Sequence, residues 1–386
     1  MQLSTERILT THVGSLARPW PLLETLQEKE HGRPYDSALL DTQIRDAVAG
    51  VVRRQVECGL DVVADGEMSK VSFLNYVKDR LAGFEPGGGE SLLPASWQLE
   101  VDDFPDYYAQ YFKKYSSTVS PLKVMVCTGP VTYAGHEALQ TDIANLKAAL
   151  DGVEYVEAFM PATSPAGFGR NEHYASEEEF EAAVAEALRE EYLGIVDAGL
   201  LLQVDDPWLI EVLSERPGTT EESRRREAAR HLEILNHALR DIPEDRIRYH
   251  VCYGLNHGPR LHDVPLREVV DPMLTVHAQA YSFEVANPRH QHEWHVWESV
   301  QLPEGKALIP GFLSHAQNFV EHPELIADGI VTYAQLVGRE RVLAGADCGF
   351  SSRASFAPEV HPSVVWPKFQ ALAEGARLAS ARLWGH

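Results

Sequence analysis

A parallel (β/α)8 barrel, an α/β fold, is what this sequence predicts, and three observations carry the prediction. Eight short segments rich in aliphatic and β-branched residues alternate with amphipathic stretches along the chain. Its 386 residues suit one large barrel without obliging a second domain. No GxGxxG or GxxxxGK[ST] element is present, which removes the main support for an open, nucleotide-binding doubly wound sheet.

The expected strands are residues 8–13, 61–65, 122–127, 200–205, 247–252, 278–284, 306–312 and 341–348. Expected helices cover 41–58, 177–197, 221–240, 323–337 and 363–383. In the second of these, Phe180, Ala183, Val184, Ala187, Leu188 and Tyr192 recur at helical spacing. Two stretches interrupt the alternation. Residues 83–117 are rich in Gly, Pro, acids and aromatics, and residues 158–174 read AFMPATSPAGFGRNEHY. Both are expected as loop insertions at the mouth of a barrel, where such folds carry their active-site loops. With no repeat or linker to divide it, the chain is expected to form one catalytic domain over residues 1–386.

The bulk composition narrows the partners. A formal charge of −23, from 57 acidic and 34 basic residues, disfavours nucleic acid and anionic membrane surfaces. No apolar run reaches the roughly 18 residues of a spanning helix, and no basic, then apolar leader opens the chain. A cytoplasmic protein acting on small molecules is the expectation, with a homo-oligomer left open. In that compartment Cys58, Cys127, Cys252 and Cys348 are expected as thiols or metal ligands, not disulfides.

The chemistry concentrates at strand ends. His250 and Cys252 stand two apart, so on a strand both point to one face. Glu284 ends the next expected strand and Cys348 the last. Two thiolates, an imidazole and a carboxylate suit zinc, whereas Mg²⁺ or Ca²⁺ would call for an oxygen-rich set. So much ligand charge makes a weak generator of hydroxide and a good host for an incoming thiol, which coordination deprotonates near neutrality. Glu284, the hardest donor, is the ligand expected to yield to that sulfur. The histidine-rich run 287–295 invites a second metal, or a contact from Arg289 or His290 to an anionic group. His12, Arg18, His257 and Arg260 are similar polar candidates.

The motifs Thr10-Thr11-His12-Val13-Gly14-Ser15, Asp65-Gly66-Glu67, Thr128-Gly129-Pro130-Val131-Thr132, Val204-Asp205-Asp206-Pro207, His250-Val251-Cys252, Glu284 and Asp347-Cys348-Gly349 occur in this order. Over nearly its whole length the chain thereby resembles the catalytic C-terminal half of the cobalamin-independent methionine synthases, and more closely the short bacterial single-barrel proteins grouped with them. Epoxyalkane:coenzyme M transferases are related. The resemblance implies a methionine-synthase-like (β/α)8 barrel, zinc dependence, and methylation of a thiol such as homocysteine by a methyl donor. By the same resemblance Gly14 and Ser15 hold the amino-acid end of the thiol, Glu67 and Asp205 bind its ammonium group, and His315 assists proton transfer. The family's Asp-Ile-His run is Leu313-Ser314-His315 here, and its acid-Glu-Pro pattern is Asp205-Asp206-Pro207. The second barrel that helps seat a folate in the long enzymes is not represented in these residues. Thiol addition to an epoxide and zinc-dependent hydrolysis are the competing functions.

Overall fold

The computed structural model describes residues 1–73, 75–87, 95–115, 118–120, 125–254 and 257–385. Its centre is a curled parallel sheet of six strands: β1 (Val62–Val63), β4 (Glu157–Thr163), β6 (Leu201–Asp206), β7 (Ile247–Val251), β8 (Ala280–Glu284) and β9 (Ala307–Gly311), paired in that order. Every residue of β7, β8 and β9 is buried. Strands covered on both faces lose the polar alternation of a half-exposed sheet, and so appear as short apolar runs. Both sheet edges continue into short segments. Thr10 bridges Ala344 in parallel and its carbonyl accepts from the amides of Asp61 and Val62, while Leu308 and Gly311 bridge Val342 and Gly345.

Three strands form a second, smaller sheet: β2 (Leu81–Pro86), antiparallel to β3 (Met125–Tyr133), which pairs in parallel with β5 (Arg170–Asn171). The helices are α1 (Trp20–Glu30), α2 (Ser37–Glu57), α3 (Ala95–Asp103), α4 (Pro105–Tyr115), α5 (His136–Leu150), α6 (Glu177–Asp197), α7 (Trp208–Leu213), α8 (Glu221–Leu239), α9 (Leu266–Met273), α10 (Pro323–Val337) and α11 (Pro362–Trp384). Their ends obey local chemistry. Ser176 caps α6 by accepting from the Glu179 amide, and three glutamates occupy its positive first turn. Thr220 and Ser223 form a reciprocal capping box at α8.

Two expectations need correction. The third parallel strand is not 122–127 but Glu157–Thr163, which lies largely inside the stretch expected to be a loop insertion. Residues 122–124 fall outside the described residues, and 125–127 begin β3 of the small sheet. The β-branched content of VMV marks a strand but does not say which sheet it joins. The 83–117 stretch, described over 83–87 and 95–115, is likewise not a plain loop, since it holds the end of β2 and helices α3 and α4.

Candidate metal centre and substrate site

Backbone register sets the first row of the site. Across the parallel ladder Thr163 pairs with Asp205, Asp205 with His250 and His250 with Ser282. Paired residues on neighbouring strands project to the same face, so Asp205 and His250 stand side by side. Cys252 follows one residue beyond β7, and Cys348 follows the segment bridged to β9. His250, Cys252 and Cys348 offer ligand atoms all within 4.8 Å of one another, the one such His/Cys/Asp/Glu group among the described residues. The two sulfurs are 3.3 Å apart, and the Gly254 amide donates to Cys252 Sγ at 3.3 Å. Gly254 has a φ of +88°, a conformation that favours glycine, and Trp97 of α3 lies over it.

The cluster is electrostatically poised. A hydrogen bond from Cys348, followed by His250, holds the Cys252 thiol well below the ordinary thiol range. Cys348 is driven upward by that same bond and by burial. Burial opposes charge on His250, but its contact with Cys252 outweighs this and raises its pKa. His250 Nδ1 meets Ser282 Oγ at 3.2 Å, while its buried Nε2 has no hydrogen-bond partner. A buried imidazole nitrogen left bare beside two sulfurs is a destabilising arrangement unless an electrophile is bound there. Two sulfurs and one nitrogen suit zinc better than any oxygen-seeking cation, so these three residues fit the metal the sequence implies.

Glu284 stands apart from this group. Its Oε2 accepts from Arg260 Nη2 at 3.3 Å and from Asn287 Nδ2 at 3.2 Å. It remains close enough for its charge to act on both His250 and Cys348. Asp347 lies nearby, with Oδ1 accepting the amides of Val285 and Ala286 and Oδ2 without a partner.

The residues expected to hold the amino-acid end are brought together by a buried arginine. Arg18 Nη1 donates to the carbonyls of Leu16 and Ser351, and Nη2 to those of Glu67 and Lys70 at 2.7 Å each. Three loops are thus tied to one guanidinium. Gly14 has a φ of +128° and a Cβ there would lie 2.6 Å from Pro161 Cγ, so only glycine fits. Ser15 Oγ lies 3.1 Å from Ser352 Oγ. Glu67 itself adopts a left-handed φ of 56°, a strained conformation for a non-glycine residue, and faces Lys70 Nζ at 3.5 Å. Burial pushes Asp205 up to about 7, against the pull of His250, and the charges of Glu67 and Cys252 add to the rise.

His315 is buried, with both ring nitrogens unpartnered. Burial, then the charge of Arg260, lowers it to about 3, so it stands as neutral imidazole at physiological pH. Other candidates prove structural. His12 has Gln55 on Nε2 at 2.7 Å and the Gly14 amide on Nδ1 at 3.2 Å. His290 is held between Glu293 and Asp263 and raised to about 9, leaving neither nitrogen for a second metal. Asp206 accepts from Tyr249, Ser164 and His231, and so braces three elements. Arg289 Nε donates to the Arg260 carbonyl. Sequence reasoning gave no role to Ser282, Asn287, Asp347, Ser352 or Glu100, although Asp347 stood in a quoted motif and Asn287 opened the histidine-rich run. Ser282 also left a signal, lying two residues before Glu284 on the same face.

No family model matches the chain. It is 22% identical over 382 residues to a protein named methionine synthase from Saccharolobus islandicus, covering 97% of this chain and 95% of that one. A second methionine synthase, from Sulfolobus acidocaldarius, is 24% identical over 249 residues, and the match spans 61% of that protein. Among solved structures, a B12-independent methionine synthase from Shewanella sp. W3-18-1 in complex with selenomethionine superimposes with a TM-score of 0.72 at 19% identity, covering 98% of this chain and all of that one. In sequence the chain is similar to proteins named methionine synthase, and in fold to a B12-independent methionine synthase.

Proposed function

We propose that this protein is a zinc-dependent thiol S-alkyltransferase that methylates a small amino-acid thiol such as homocysteine. The observation that carries the reading is the buried His250/Cys252/Cys348 cluster with a bare Nε2, set one strand from the carboxylate of Asp205, which feels the charge of Glu67. In the same reading, the six-stranded sheet and the bridged segments at its two edges are eight strands of a closed (β/α)8 barrel, with the site at their carboxyl ends. His250, Cys252 and Cys348 would hold the metal, and Glu284 is the fourth ligand we assign. Zinc bound there would lower the pKa of an added thiol while leaving its sulfur nucleophilic.

The chain's own groups account for the rest. Burial raises Asp205 to about 7, and an α-ammonium group placed beside it would favour its charged form. Ser15, at the end of a loop fixed by Arg18, sits where the amino-acid end would lie. His315, buried with both ring nitrogens unpartnered, is the group we assign to assist proton transfer to the leaving atom of the donor as the new S–C bond forms. Relatives named methionine synthase, and the Shewanella protein's complex with selenomethionine, support an amino-acid sulfur substrate.

The test is zinc quantification on protein purified without added metal, followed by a panel of thiols and methyl or epoxide donors read by mass spectrometry. One zinc per chain and a methylated amino-acid thiol are expected. Protein that is fully active without metal overturns the reading. Adducts formed only with epoxides move the function to electrophile addition.

A further inference from the structure

Arg260 reaches Glu284 from a backbone conformation that needs explaining. Its φ is 57°, one of three positive values among the described non-glycine residues. Such strain persists only where the surroundings impose it. Here they do. The buried carboxylate of Glu100, on α3, accepts the amides of Arg260 at 3.2 Å, Leu261 at 2.5 Å and His262 at 3.2 Å. Farther along the side chain, Arg260 Nε donates to Asp263 Oδ2 at 2.7 Å, and the same oxygen meets His290 Nε2 at 3.0 Å. The guanidinium is therefore fixed through its backbone and through its Nε. Glu284 is not needed to hold it, yet receives its Nη2 at 3.3 and 3.5 Å.

We propose that Arg260 is the resting partner of Glu284, a positioning residue that takes up this carboxylate whenever it leaves the metal and so allows an arriving thiol to displace it. The inference rests on the zinc reading above. Releasing a carboxylate into a buried site without a partner is costly, and a preplaced guanidinium offsets that cost. The helical insertion thereby acts on the metal centre through Glu100 and Arg260, without contributing a ligand itself.

The test is zinc affinity by chelator competition, with and without homocysteine, in the wild type, Arg260→Gln, Arg260→Lys, Glu284→Gln and the Arg260→Gln/Glu284→Gln double variant. With its competitor gone, Glu284 should favour the metal, so Arg260→Gln binds zinc about tenfold more tightly and homocysteine about tenfold more weakly. In the Glu284→Gln background the same substitution should change little. Arg260→Lys, which keeps the charge, should lie near the wild type, and Arg260→Met supplies the cycle if the Gln variant does not fold. An equal gain in both backgrounds, or none in either, overturns the exchange while leaving the zinc site intact. A wild type that binds no zinc overturns both.

Discussion

The two halves of the site are built in opposite ways. Around Gly14, Ser15 and Glu67, the terminal nitrogens of Arg18 are bonded to four backbone carbonyls from three loops, so hydrogen bonds within the chain fix the backbone there. Around His250, Cys252 and Cys348 the opposite holds. His250 Nε2, both nitrogens of His315 and Asp347 Oδ2 are buried without partners. A satisfied region fixes position, and an unsatisfied one stores affinity for what is to be bound. On the proposed function, the first half would set where the amino-acid end lies, and the second would take up metal and sulfur.

The largest effect should come from breaking the unsatisfied half. Cys348→Ser removes one of two sulfurs and should lose zinc and transfer activity together, while the fold, held elsewhere, survives. Metal analysis beside a circular dichroism melt checks this. A folded, metal-free and fully active variant would reverse the contrast.

Asp206 tests whether the satisfied framework carries stability instead. Its buried carboxylate joins β6 to Tyr249 at 2.7 Å and to His231 at 2.6 Å. Asp206→Asn should destabilise by about 3–5 kcal/mol, the cost of breaking a buried pair from one side, read as a shifted denaturation midpoint. The wild type should also show a two-sided pH profile. Despite burial, His231 and hydrogen bonds hold Asp206 below the carboxylate range, so its contribution is present above that range and fades as pH falls through its lowered pKa. His231 is raised, against burial, by Asp206; its contribution is present below the ordinary histidine range and fades as pH rises through its elevated pKa. In Asp206→Asn both slopes should flatten.

Glu67 belongs to the positioned half and should affect binding alone. Glu67→Gln removes a charge-assisted contact of about 1.5–3 kcal/mol. The expected result is a KM for the thiol raised roughly tenfold to a hundredfold, with zinc content unchanged. Loss of zinc instead would show that the two halves are not separable.

What could be read in advance follows the same division. The residues of the unsatisfied half stand at the ends of buried parallel strands, where polar side chains interrupt aliphatic runs, so His250, Cys252 and Cys348 were legible. Helices α6 and α10 were legible to their terminal residues, because caps and periodicity coincide there. Strand β4 was not. EAFMPAT has little β-branching and a proline, and being buried over most of its length it shows no alternation. Glu100 could not be found either, since the amides it receives lie 160 or more residues away, and backbone amides carry no sequence signature. Glu284 was identified as a strand-end carboxylate, but Arg260, which holds it in the structure, was only one polar candidate among several.

The smallest effect should fall on Ser282, whose side chain touches the cluster directly from the neighbouring strand. A metal on His250 Nε2 requires the tautomer with its proton on Nδ1, and Ser282 Oγ, at 3.2 Å, is placed to accept that proton's hydrogen bond. Ser282→Ala leaves all the ligands in place and removes only their support. Zinc affinity should fall about tenfold, at the low end of what such outer partners contribute, with the stoichiometry still one per chain. An unchanged affinity would mean that strand register alone orients the imidazole, because His250 is already fixed between Asp205 and Ser282 in the ladder. The cluster would then depend on the sheet and not on its hydrogen bonds, and the framework that positions substrate would be the same one that positions the metal.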